Sequence, residues 1–146
     1  METYKQLKER HEAEVNSFIK EYCFFAFSND QFEEGMKNLN LDPAADGNKI
    51  TRIPGGGFVL KEHLKEFNAM IDKHENETRA GIKADPDGKG FLYQLLTATM
   101  FDHEYGLTQD DEEALSHTPL TAEDLADPVI YDTYKRAAEY VIENTY

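Results

Sequence analysis

Apolar residues recur along this chain in two rhythms. Tyr4, Leu7, His11, Val15, Phe18 and Tyr22 follow alternating three- and four-residue steps, which places them on one face of a helix from Tyr4 to Tyr22. The run Cys23-Phe24-Phe25-Ala26-Phe27 then breaks that period. Its length and aromatic content predict a buried strand ended by Ser28. Ser28 and Gln31 fit a capping box opening a second helix near Asn29, with Phe27 and Phe32 placed as a hydrophobic staple around it.

Asp42-Pro43 and Asp46-Gly47 mark a loop, after which Lys49–Ile53 and Phe58–Leu60 read as strands joined across Pro54-Gly55-Gly56-Gly57. A long helix from about Glu62 to Ala84 carries Leu64, Phe67, Ile71, His74, Thr78 and Ile82 on one stripe. Asp85-Pro86-Asp87-Gly88-Lys89-Gly90 stops it, and Phe91 to about Tyr105 forms the next helix, burying Leu92, Leu95, Leu96 and Thr99. Tight breakers between two amphipathic helices predict an antiparallel hairpin. Thr108–Ser116 holds an acidic turn, Thr121 caps a short helix ending at Asp127-Pro128, and Val129–Asn144 is the last helix. Its stripe is Ile130, Tyr134, Ala137 and Val141.

These elements predict an α+β fold rich in helix: about three short strands in a small antiparallel sheet, packed against four or more helices. A length of 146 residues is that of one domain. No apolar run approaches the roughly 20 residues that span a bilayer, and METYKQLKER lacks the apolar core of a signal peptide. The single Cys23 has no partner for an internal disulfide, which predicts a cytoplasmic protein.

Charge changes the picture more than composition does. The net charge is −14, and residues 101–146 carry 12 acids against Lys135 and Arg136 alone. From Asp102 to Asp127 there is no Lys or Arg to set against Asp102, Glu104, Asp110, Asp111, Glu112, Glu113, Glu123, Asp124 and Asp127. Direct contact with nucleic acid is disfavoured, because phosphate binding needs clustered Lys or Arg. An acidic surface suits a basic protein partner, or solubility alone.

Several constellations invite chemistry. Asp85, Asp87 and Gly90 occupy calcium-loop positions, but Lys89 and Leu96 stand where ligands belong, so a helix end and turn is the better reading. The glycines at 55–57 lack the following Gly-Lys-Ser/Thr of a phosphate loop and lead into a strand. His11, His74 and His103 fall on the apolar stripes of their helices, and His63 lies nearly three turns before His74. In the expected hairpin His74 and His103 stand within about one turn of each other. Together with His63 or His11 they form a candidate transition-metal site or acid/base pair. The competing reading is that they are hydrogen-bonded core histidines, with no cofactor. Cys23 sits in an apolar setting that quiets a thiol, although a pairing with His11 is conceivable.

The ordered series FFAFSNDQFEEGMKNL, GGGF, KHE, GKGFLYQLL and HEYG, from Phe24 to Gly106, resembles an uncharacterised family of small acidic proteins carried by phages and integrative elements of bacteria. The likeness extends over roughly Tyr4 to Tyr146. It implies accessory cargo of mobile elements, and with it a protein that binds and blocks a host nucleic-acid-binding or defence protein. Two readings therefore compete: a non-enzymatic interaction protein using its acidic last third, or a metal-dependent or acid/base enzyme using its histidines. A third use of the aromatic strand and the GGGF hairpin is a dimer interface.

Overall fold

The computed structural model describes residues 2–145. The fold is helix-rich α+β, as the sequence predicts. The elements are α1 (Tyr4–Tyr22), β1 (Cys23–Phe25), α2 (Asn29–Asn38), β2 (Ile50–Ile53), β3 (Gly57–Leu60), α3 (Leu64–Lys83) and α4 (Phe91–Asp102). After these come α5 (Tyr105–Thr108), α6 (Asp111–Ser116), α7 (Ala122–Leu125) and α8 (Pro128–Glu143). The chain divides into two compact units, one of Glu9–His74 and one formed by residues up to Lys8 together with those from Glu75 onward.

The Glu9–His74 unit contains the sheet. Its order is β1-β3-β2 with both pairings antiparallel, so β3 is central and the two outer strands are edges. Phe24, Phe58 and Arg52 share one row, and with Ile50 they mark the face that packs on Met36 and Phe32 of α2. The aromatic run is less buried than its composition predicts. Side chains alternate across a strand: Phe24 turns to the α2 face at 8% exposure, and on the opposite face Cys23 beside Val59 is buried while Phe25, at the strand end beside Gly57, is 42% exposed. β1 ends at Phe25, and Phe27 beyond it is 77% exposed.

The cap on α2 forms with a shift. Ser28 Oγ accepts from the Gln31 amide (3.2 Å), but the Gln31 side chain reaches past Ser28 to the amide of Phe27 (2.7 Å). The turn between β2 and β3 needs its glycines. Gly55 and Gly56 have φ of 86° and 84°, and a Cβ on Gly56 would lie 2.5 Å from the ring of Phe27. These glycines give clearance for an aromatic ring as well as a positive φ.

The second unit is a helical core. Leu92, Leu95 and Leu96 of α4 bury themselves against Tyr134, Ala137 and Val141 of α8, the stripes read from the sequence, and Met100 joins them. The Asp85–Gly90 segment is a helix end and turn, as the sequence predicts. Asp85 Oδ2 accepts the amides of Gly90 (3.2 Å) and Leu92 (2.9 Å), and Oδ1 also accepts that of Gly90 (3.4 Å), so the carboxylate caps α4 from five and seven residues away. Gly88, at φ 69°, brings this turn against the fully buried Thr133 of α8.

Gly88→Ala meets both obstacles at once, a positive φ and a wall at Thr133. It is expected to cost about 2–4 kcal/mol in urea unfolding. Gly47→Ala, which has open space and no positive φ, is expected to stay within about 0.5 kcal/mol of the parent. Equal effects at the two sites would contradict this account of the turn.

Candidate metal centre

Three ligand-type side chains converge where α4 ends. His103 is the residue after the last turn of α4, its amide bonded to Thr99 and Phe101 carbonyls. The chain then reverses twice: Glu104 and Gln109 both take left-handed conformations, φ 56° and 49°, on either side of the single turn α5. Neither residue type favours that region, which costs of order 1 kcal/mol or more each. Asp110 accepts the amide of Glu113 (3.0 Å) and so starts α6. Glu113 and His117 lie four residues apart, on one side of that helix.

His103 and His117 stack face to face, with centroids 3.5 Å apart and planes 2° from parallel. Ligand atoms of His103, Glu113 and His117 all lie within 4.8 Å of one another. A tetrahedral ion bound at about 2.0–2.1 Å needs ligand atoms about 3.3 Å apart. The cluster is wider than a coordination shell, and the parallel rings must turn out of their stack for their in-plane lone pairs to meet one ion, a rotation open to side chains that are partly or fully exposed. Two imidazoles and a carboxylate leave further coordination positions open.

The position of α6 is held by its first residue. Asp111 Oδ1 accepts the phenols of Tyr105 (2.6 Å) and Tyr134 (2.5 Å), from α5 and α8. Burial, reinforced by the bond to Asp111, pushes the Tyr105 phenol up to about 12. The same causes push Tyr134 further up.

His74 and His103, expected to face each other, each find another partner. His74 is buried, stacks on His11 (centroids 3.9 Å apart) and places Nε2 2.8 Å from Glu14 Oε2. That hydrogen bond, helped by Lys73, holds the Glu14 carboxyl below its ordinary range. His63 stacks on Tyr22 and places Nδ1 3.1 Å from Glu66. His117 is the ligand-type residue that the sequence reading missed. The signal available was the Glu-x-x-x-His spacing of Glu113 and His117, obscured by its acidic neighbours. Cys23 is buried, and burial raises its thiol to about 11, well away from reactivity at neutral pH.

The acids from Asp102 to Asp127 take different work. Asp102 pairs with Lys8 (3.1 Å). Asp110 caps α6, and Asp124 closes a full capping box with Thr121 on α7. Asp127 caps α8 through the Val129 amide (2.8 Å), with Pro128 at its first position. Glu104, Glu112 and Glu123 are exposed and their side chains are not engaged with other described residues.

Raised phenol pKa values couple stability to alkaline pH. The unfolded tyrosines ionise near about 10, whereas the folded ones hold their protons higher. Their stabilising contribution is thus complete below about pH 10 and is lost as pH rises toward the Tyr105 value of about 12. A Tyr105→Phe, Tyr134→Phe variant is expected to lack this phase in stability measured against pH. An unchanged alkaline profile would contradict the paired phenols.

The sequence profile of a family described as a family of unknown function (DUF7659) matches residues 3–139. No curated protein and no solved structure matches the chain. Among the described residues no helix is long and apolar enough to cross a membrane. With the match covering nearly its whole length, the chain belongs to the DUF7659 family.

Proposed function

We propose that this protein binds a divalent transition metal ion through His103, Glu113 and His117. The observation that carries this is the convergence of two imidazoles and a carboxylate within 4.8 Å, on a corner built from two left-handed non-glycine residues. Softer nitrogen donors with one carboxylate suit zinc, nickel, cobalt or ferrous iron better than calcium or magnesium, which take oxygen ligands. The ion would tie the end of α4 to α6, so binding adds stability as well as chemistry. Its remaining positions would accept water or a small ligand.

Zinc and cobalt titrations by calorimetry test this reading. One ion per chain is expected, with His103→Ala and His117→Ala each weakening it by about 10-fold or more. Zinc at about 100 times its Kd should raise stability by about 2.7 kcal/mol. Absence of binding tighter than about 1 mM, or equal binding by the variant lacking both histidines, would refute the site.

A second reading keeps the interaction hypothesis: a protein that engages a basic surface on a partner, as an accessory of a mobile element acting on a host nucleic-acid-binding or defence protein. The exposed Glu104, Glu112 and Glu123 favour it, since their side chains are not engaged with other described residues. Reversing all three to Lys is expected to abolish partner recovery in pull-downs while leaving the fold intact. Unchanged recovery would remove the acidic-surface argument.

A further inference from the structure

The Glu9–His74 unit has a groove of its own beside α2, about 720 Å³ in volume. Phe27, Phe32 and Phe58 supply its aromatic surface, and Arg52, Lys61 and Ser28 supply polar groups. Among the described residues that line it there is no carboxylate. In a chain with 29 acids against 15 bases, such a lining is a local reversal of the overall charge.

The parts are held in place. Arg52 faces Phe58 across the β2–β3 pair, and its guanidinium carbon sits 5.6 Å from the Phe58 ring centre. This cation–π contact keeps the charge at the groove wall. Neither Arg52 nor Lys61 has its charge spent on a carboxylate among the described residues. Phe27 is the most exposed of the large apolar side chains, at 77%, yet its ring is set against Gly56. One side of the ring meets the glycine turn, and the rest is open to a ligand. Ser28 Oγ accepts from Gln31, which leaves its hydroxyl hydrogen to donate.

We infer that this groove binds a small planar aromatic molecule bearing a phosphate, of the kind a nucleoside monophosphate represents. The flat ring would stack on Phe27, and the phosphate would lie between Arg52 and Lys61, with Ser28 donating a hydrogen bond. Stacking on an exposed aromatic contributes about 1–3 kcal/mol for nucleic-acid bases, and two cations supply charge-assisted bonds. The Glu9–His74 unit itself holds 12 acids against 8 bases, an excess that favours the monomer over the polymer. A polynucleotide would carry its other phosphates onto an acidic surface, where like charges repel.

The test is a set of NMR titrations of the full chain, with EDTA present so that no metal mediates phosphate binding. The ligands are AMP, adenosine, inorganic phosphate and an oligothymidylate of about ten nucleotides. AMP is expected to saturate below about 10 mM, shifting the amides of Phe27, Arg52 and Phe58. Adenosine and phosphate alone should each bind at least about tenfold more weakly, and the oligonucleotide should gain nothing over AMP. Arg52→Gln with Lys61→Gln, and separately Phe27→Ala, change exposed side chains and should each weaken AMP by about tenfold. No saturation by AMP, undiminished binding by both variants, or phosphate binding as tightly as AMP would overturn the proposal. Tighter binding of the oligonucleotide would replace it with a single-strand site.

Discussion

One oxygen of Asp111 receives two phenols, Tyr105 from the turn before α6 and Tyr134 from the middle of α8. Hydrogen bonds to a charged acceptor contribute about 1.5–3 kcal/mol each, more than neutral ones. The carboxylate therefore anchors a six-residue helix that is too short to hold its position by its own hydrogen bonds. Glu113 and His117 depend on that anchor for their place beside His103. Two residues in left-handed conformations, Glu104 and Gln109, oppose the same arrangement at a cost of order 1 kcal/mol each. The balance favours the corner because the core holds both tyrosines: Tyr105 and Tyr134 are buried against α4.

The same physics accounts for much of the concentrated charge. Four helices start between Tyr105 and Pro128, and each exposes amide groups at its first turn. Asp110, Asp124 and Asp127 meet that demand with carboxylates, each contributing about 1 kcal/mol. A segment that folds as short helices in quick succession needs acceptors at close intervals. Its acidity is in part a record of its secondary structure. The side chains of glutamates 104, 112 and 123 cap no amide, although 112 and 123 lie in the first turns of α6 and α7, where the helix dipole favours a negative charge; these three are what an interaction surface would have to use.

Periodicity made the long elements legible. The bounds of α1 coincide with its expected ones, and the buried faces of α4 and α8 are those of the apolar stripes. These succeed because a stripe over many turns admits few other solutions. Shorter pieces were less legible. The aromatic run from Cys23 reads as buried by composition, whereas the strand ends at Phe25, beside the side-chain-less Gly57, and leaves Phe25 and Phe27 exposed. Among the histidines, helical spacing predicts which face a residue occupies but not which neighbour covers that face. His74 is buried as its stripe implies, with His11 and Glu14 as its partners. His103 meets His117 only because the chain reverses at Glu104 and Gln109, and neither residue announces a positive φ. The glycines at 55–57 mark a connection in the sequence, and their second effect, room for Phe27, depends on a contact that no local pattern encodes.

If the carboxylate–phenol anchor positions the metal ligands, weakening it should be felt at an ion it does not touch. The direct measurement is the zinc affinity of the Tyr105→Phe, Tyr134→Phe variant, with helix content verified by far-ultraviolet circular dichroism. The account predicts an affinity about tenfold below that of the parent, although His103, Glu113 and His117 are all intact. An affinity equal to the parent's would contradict it.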